Sequence, residues 1–495
     1  MNHSPNFPPG VHHAGGFEWG PRPAPPSAGA PGAVLGVLGI GLVCVLAGVS
    51  VAVADVNAVY LSAAVIGCLL VLYDFRIGVV GLIVIFPISA SQVFPHELFG
   101  LTGLNPLNLL VAGTLASCVM RVSTDRRALH VVPASLLWLY VIPFVAAGIL
   151  GSRHVGEIFV DFFRLHQVNF FDEAGYLRDM VMKPLFLVLF AVLVGAAAMR
   201  SQRPERFIYP LLASVWVMCL LAILYFAFSD TSIDKLSGEF QRDFFTPLGL
   251  HANELGRMYA VAYALLLFAW AECRDSRLAV PLLVSMGALV VALVLTFSRG
   301  AFLGFILVNV LFVLWRGSAK TLMVAILAAI GLLVVLPGAV LVRVQLGLGG
   351  FDINAITAGR WDHIWMPLLP ELFRSPIWGG GLGSIMWTPP MRAGQMFLVE
   401  HPHNAYIQAL IDMGLAGLVV VCAFWARTWK GFRALSADAS LAPELRGLFQ
   451  GAAASVLALA VANIAGSSML PVTDQCLLWM AVGLMYGVRH RRAQG

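Results

Sequence analysis

"LLVSMGALVVALVLTFSRGAFLGF", residues 282–305, sets one apolar run directly against another, with Arg299 in the short turn between them. Neither run alternates polar with apolar residues, so strands with one wet face are excluded and a helix is predicted on each side. Similar runs of about 17–24 residues recur along the chain, each long enough to cross a hydrocarbon layer of roughly 30 Å. The chain has 495 residues, of which 59% are hydrophobic and 12% charged, and its mean hydropathy of +0.84 exceeds what a water-soluble core needs. The predicted fold class is therefore all-α, a polytopic membrane bundle. Its seven cysteines (44, 68, 118, 219, 273, 422, 476) are scattered singly, which predicts neither disulfides nor a thiolate metal site.

Residues 1–32, rich in Pro, Gly, Ala and His, read as a disordered cytoplasmic tail, and residues 33–492 as a single transmembrane domain. About fourteen spans are predicted, centred near residues 43, 65, 85, 112, 141, 191, 217, 263, 288, 308, 331, 414, 457 and 479. Alternate connections carry Arg121, Arg126 and Arg127; Arg200, Arg203 and Arg206; Arg274 and Arg277; Arg316 and Lys320; Arg427, Lys430 and Arg433; and Arg489, Arg491 and Arg492. The positive-inside rule makes these cytoplasmic, along with both termini, and an even number of spans agrees with that. The opposite side receives residues 151–182, 229–253 and the longest loop, 343–402. No internal repeat of the transporter kind is evident.

Against this pattern Arg242, Arg257, Arg299 and Arg360 fall on the outer side or at its membrane edge. Guanidinium groups grip phosphate with a planar fork and stay charged, so a converging set suits a diphosphate at the membrane surface. Other roles are open to each: Arg299 as a snorkelling anchor, Arg257 paired with Glu254 or Asp243, Arg242 paired with Glu239. Gly300 and Gly304 are expected to let neighbouring helices come close. Asn253 shares a helix face with Arg257.

"HPHNAYIQALIDMGLAG", residues 401–417, ends the longest loop and starts a span. A helix starting near His403 would bring Gly414 and Gly417 onto the histidine's face and leave room there for another helix. Asn404, Gln408 and Asp412 would form a neighbouring polar stripe, costly against lipid and so directed inward. An imidazole at the mouth of such a cavity suits a general base for an alcohol. Two other readings stand beside it: His403 capping the helix, or His401 and His403 holding a divalent ion with Glu400, Asp362 and His363. Upstream, "GRWDHIWMPLLPELF" predicts a short surface helix anchored by Trp361 and Trp365, ended by a flexible turn over Gly379–Gly383.

Taken in order, these motifs resemble the O-antigen ligase and Wzy-type polymerase superfamily of bacterial membrane glycosyltransferases. His403, Asn404, Gly414 and Gly417 match that family's H-[NSQ], nine residues, G-x-x-[GTY] motif; "TFSRG" at 296–300 is similar to its S-R-G turn. "GRWDHIW" followed by "PIWGGGLG" is similar to its G-R and P-x-x-G-x-G-x-G loop, so the likeness covers roughly residues 240–430. The resemblance implies transfer of a glycan from a polyprenyl (undecaprenyl) diphosphate carrier to an acceptor hydroxyl at the periplasmic face of the bacterial inner membrane. It implies His403 as base, and Arg299 with Arg242 or Arg257 as diphosphate ligands. No cofactor and no metal are implied. The implied partners are a lipid-linked glycan donor, a glycan or lipid A-core acceptor, membrane lipids and polysaccharide-assembly proteins, with nucleic acid excluded. Ligase, polymerase and protein oligosaccharyltransferase remain open, and the rival class is a transporter or lipid-linked glycan flippase.

Overall fold

A computed structural model describes residues 56–92, 94–124, 132–166, 168–229, 244–249, 251–317, 352–466 and 469–494, with a few isolated positions besides. The tail 1–32, the centres near 43 and 331, Arg242 with Glu239 and Asp243, and the start of the 343–402 loop lie outside the described residues. The chain divides into two units, Met1–Ser62 and Ala63–Gly495. Of the first, residues 56–62 are helical. The second holds the helical bundle and every candidate site residue among the described ones.

The long helices are α1 (Val56–Tyr73), α2 (Phe75–Ile85), α3 (Pro106–Thr124), α4 (Ala134–Ser152), α5 (Glu173–Arg200) and α6 (Pro204–Phe228). They continue as α7 (Ala252–Glu272), α8 (Ser276–Leu295), α9 (Arg299–Arg316), α10 (Ala405–Ser436), α11 (Pro443–Ala462) and α12 (Cys476–Gln494). Helices lie at every expected centre within the described residues. Seven of them are long and apolar enough to cross a membrane: α4, α5, α6, α8, α9, α10 and α11. A single two-residue strand pair, Glu97–Leu98 with Leu101–Thr102, is the β-structure among the described residues.

Helix starts follow local chemistry. Asp74, Asp275, Ser298 and Asn404 each accept a backbone N–H in the first turn of α2, α8, α9 and α10, satisfying donors that a helix start leaves over. The tightest packing joins α7 to α11 and α5 to α12. There, a Cβ on Gly451 would stand 2.3 Å from Ala264 O and one on Gly483 2.2 Å from Ala191 O. Helices without a hydrophobic drive toward one another gain cohesion from such backbone-close contact.

Described members of the basic clusters gather at one end of these helices. Arg316 and Arg446 both meet Glu272, at 2.8 and 3.2 Å. Arg433 stands over the Trp315 ring and Arg491 donates to Ser201 O. At the other end, where α7, α9 and α10 begin and α11 finishes, lie Arg257, Arg299 and the histidine turn.

Candidate active site

Two short strained turns bring the site together. Phe297 takes a left-handed φ of 47° just before α9, which lets Ser298 cap the helix and donate its hydroxyl to Asn253 Oδ1 at 2.8 Å. This bond ties the start of α9 to the start of α7. The close approach there belongs to Gly256, whose added Cβ would lie 2.5 Å from Ala301 Cβ; nothing lies within 4 Å of the corresponding position at Gly300, and Gly304 makes only an ordinary contact. The expectation that Gly300 and Gly304 form the close helix contact is thus corrected to Gly256 of α7.

Three arginines line one cavity of about 80 Å³, together with Asn253, Ser298 and Thr357. Arg299 donates to Ala355 O at 3.2 Å and Arg360 to Ala465 O at 2.9 Å, so backbone carbonyls hold both guanidiniums in place. Arg257 donates to Asp474 Oδ2 at 2.5 Å. Its acidic partner among the described residues is therefore Asp474, which sequence reading missed, and not Glu254; Asp243 lies outside the described residues. Asp474 follows the short connection after α11, far from Arg257 in sequence, and no spacing rule links them.

The second turn is "HPHN", residues 401–404. His403 has a left-handed φ of 52°, and α10 starts only at Ala405, with Asn404 as its cap, accepting from Tyr406 N and Ile407 N at 3.0 Å each. His403 lies outside the helix, so the capping role falls to Asn404 and the shared helix face with Gly414 and Gly417 does not form. The His403 N–H donates to His401 Nδ1 at 3.3 Å, and the two rings meet edge to face at 4.2 Å. Trp365 Nε1 donates to Pro402 O at 2.8 Å from a buried position. Trp365 thus braces the turn from inside instead of anchoring at a surface, while Trp361 is exposed.

Electrostatics join the two turns. Burial pushes His401 down to about 4, and the positive charges of Arg257, Arg360 and His251 push the same way. The His401 imidazole is accordingly neutral near pH 7 and too weak a base to take a proton readily. Burial raises Glu400 to about 7.

Gly414 breaks α10, with φ 65° and ψ −171°. The break is clasped by the loop Pro376–Gly383: Gly380 N and Gly381 N donate to Ile411 O and Asp412 O, while Leu415 N and Ala416 N donate to Pro376 O and Ile377 O, all within 2.7–3.1 Å. A Cβ on Gly414 would lie 2.2 Å from Ile377 C, and one on Gly379 2.4 Å from Asp412 C. A glycine loop, not another helix, fills the space beside Gly414, and the expected flexible turn is a backbone clamp. At Gly417 the corresponding space is taken by the Met413 side chain of the same helix. Asp412 Oδ1 accepts from Ser384 N and Oγ at 3.0 and 2.8 Å. Gln408 Oε1 and Asp412 Oδ2 are buried with no partner among the described residues, so the polar stripe does turn inward.

Asp362 is bonded to Asn354 and His363 stacks on Phe397 at 4.5 Å. Among the described residues no three His, Cys, Asp or Glu side chains stand close enough to hold an ion. An apolar cavity of about 270 Å³ lies beside α10, lined by Tyr406, Trp425 and Trp429 of that helix and by Asn463. Asn463 follows Ala462, which lines the arginine cavity.

Residues 282–422 match the family described as O-antigen ligase. The matched stretch carries Arg299, Arg360, the histidine turn and the glycine clamp, and leaves Arg257 and Asp474 outside it. No curated protein matches the chain.

Proposed function

From the match of residues 282–422 to the family described as O-antigen ligase, we propose a membrane glycosyltransferase of the O-antigen ligase and Wzy superfamily that moves a glycan from a polyprenyl diphosphate carrier to an acceptor hydroxyl at the periplasmic face of the bacterial inner membrane. The observation that carries this reading is the convergence of Arg257, Arg299 and Arg360 on one cavity, with the histidine turn within their electrostatic reach.

A glycosyl diphosphate is already activated, so the site must stabilise charge on the departing diphosphate and remove a proton from the acceptor. The three guanidiniums supply the first need. His403 supplies the second: it takes the acceptor hydroxyl proton as the acceptor oxygen bonds to the anomeric carbon and the carbon–phosphate-oxygen bond breaks. Polyprenyl diphosphate leaves as the anion held by the arginines. His401, kept neutral and weakly basic, orients His403 through the backbone N–H it accepts. Asn253 and Asn404 fix the helix starts that present the arginines and the histidine, while Gln408, Asp412, Gly414 and Gly417 shape α10 behind them. The apolar cavity beside α10 supports a lipid-linked donor, since Asn463 in its wall is the chain neighbour of Ala462 in the wall of the arginine cavity. Of the two arginines that sequence left open, Arg257 lines the arginine cavity, while Arg242 lies outside the described residues. No step calls for a metal or cofactor.

The test is glycan transfer in proteoliposomes from a polyprenyl diphosphate donor, with glycan uptake followed in the same preparation. Transfer lost in Arg299→Ala and His403→Ala supports the reading. Donor translocation without transfer would replace it with a flippase.

A further inference from the structure

A second polar cleft, of about 190 Å³, lies between the segment after α4 and the loop that clasps α10. Its walls carry His154, Glu157, Glu371, Arg374, Trp387 and Arg392. His154 stacks on Trp387, with ring centroids 5.4 Å apart and 14° between the planes, and its Nδ1 lies 2.8 Å from Glu157 Oε1. Glu157 also meets Arg392 at 3.5 Å, and Glu371 meets Arg374 at 2.7 Å. The two segments are joined by Phe159 N donating to Met386 O at 3.2 Å.

The charges in this cleft cancel, two carboxylates against two guanidiniums, whereas among the described residues three guanidiniums and no carboxylate line the arginine cavity. An anion would gain little here over water, and a cation no more. Charged groups paired with one another keep spare lone pairs and N–H donors, and a neutral ligand rich in hydroxyls can use both kinds at once. The volume suits one sugar ring better than a drug-sized molecule.

Position narrows the role. Tyr406 of α10 bonds Ala460 O of α11, the helix whose end lines the arginine cavity. Ile411, about 140° further round the helix, lines this second cleft. The two sites therefore flank the first turns of α10, which follow directly on His403. We propose that the cleft binds a neutral sugar ring of the acceptor, on the side of α10 away from the departing diphosphate; this rests on the arginine cavity being the donor site. Attack opposite to a leaving group requires that separation.

The test uses the full chain in nanodiscs and saturation-transfer NMR with two neutral probes, maltotriose and triacetylchitotriose. The wild type should transfer saturation to at least one, Glu157→Gln and Arg392→Gln should each weaken binding about tenfold, and inorganic diphosphate should not compete. No transfer to either probe by the wild type, signals in both variants as strong as in the wild type, or displacement by diphosphate would overturn the proposal. In the transferase assay the same variants should raise acceptor KM and leave donor KM unchanged; the reverse split overturns the acceptor assignment. Because the NMR measurement needs no turnover, probe binding by a protein without transferase activity would count against the transferase reading and leave the sugar cleft standing.

Discussion

Arg257 Nε donates to Asp474 Oδ2 at 2.5 Å, and the two side chains are only 11% and 2% exposed. A buried pair broken from one side leaves a charge without its counter-charge, at a cost of about 3–5 kcal/mol. Arg257→Ala is therefore expected to lower thermal stability and abolish transfer. Asp474→Asn keeps the shape and leaves Arg257 charged, so it should lower stability yet hold donor KM at or below the wild-type value. Equal loss of transfer in both variants, in step with stability, would reduce Arg257 to a structural partner.

Arg299→Lys tests whether geometry or charge matters at the start of α9. The Ala355 carbonyl holds the guanidinium plane in the cavity, and an ammonium reproduces its charge without the planar fork. Transfer should fall at least tenfold, a difference of roughly 1.4 kcal/mol in transition-state stabilisation, at normal membrane levels. Full activity would mean that Arg299 serves lipid headgroups instead.

Much of this was legible in the sequence because oil makes polarity conspicuous. Arg299 and the "HPHN" turn stood out as polar groups at the edges of apolar runs, and the structure sets Arg299 in one cavity with Arg257 and Arg360, whose charges reach His401. What stayed hidden depends on backbone and on distance. The glycine clamp is made of main-chain hydrogen bonds between residues 376–381 and 411–416, which leave no side-chain pattern beyond the glycines themselves. Trp365 was misplaced because residues Trp361–Trp365 form a π-helical turn, with Met366 N bonded to Trp361 O; a 3.6-residue period loses phase there. The cleft at His154 and Trp387 joins segments more than two hundred residues apart, and no local motif announces it.

The clamp makes its own prediction. A methyl group at Gly414 would have to occupy space 2.2 Å from Ile377 C, and the residue would have to hold a φ of 65°. Gly414→Ala should therefore cost several kcal/mol and lower the yield of monodisperse protein. Gly300→Ala, with open space around it, should leave the yield unchanged and serves as the control.

Glu400 and His401 predict opposing pH effects on stability. Glu400 titrates near 7 when folded, above its ordinary range, so its contribution is full below about 4.5 and is lost as pH rises toward 7. His401 is depressed to about 4, so its contribution is present above about 6.5 and is lost as pH falls toward 4. Between these limits the two slopes offset each other. Thermal unfolding in detergent should show Glu400→Gln gaining stability from pH 4.5 to 6.5 relative to wild type, and His401→Asn losing it over the same range. Parallel curves for all three proteins would remove both assignments.

The sharpest expectation concerns the histidine turn. If His403 takes the acceptor proton, His403→Ala should abolish transfer while the diphosphate donor still binds, because base and anion site are separate groups. His401 accepts the His403 N–H and lies edge to face with its ring at 4.2 Å, so His401→Ala should lower kcat partially, with donor binding kept. Trp365→Phe removes the bond to Pro402 O from beneath the turn along with part of the buried ring, and should lower kcat with little change in donor KM. Donor binding and transfer, measured on the same detergent samples, separate these roles. Near-normal transfer by folded His403→Ala would remove the base from this residue. Equal collapse of binding and transfer in His403→Ala and His401→Ala, with restoration by one added divalent ion in the wild type after chelation, would instead make the two histidines a metal pair.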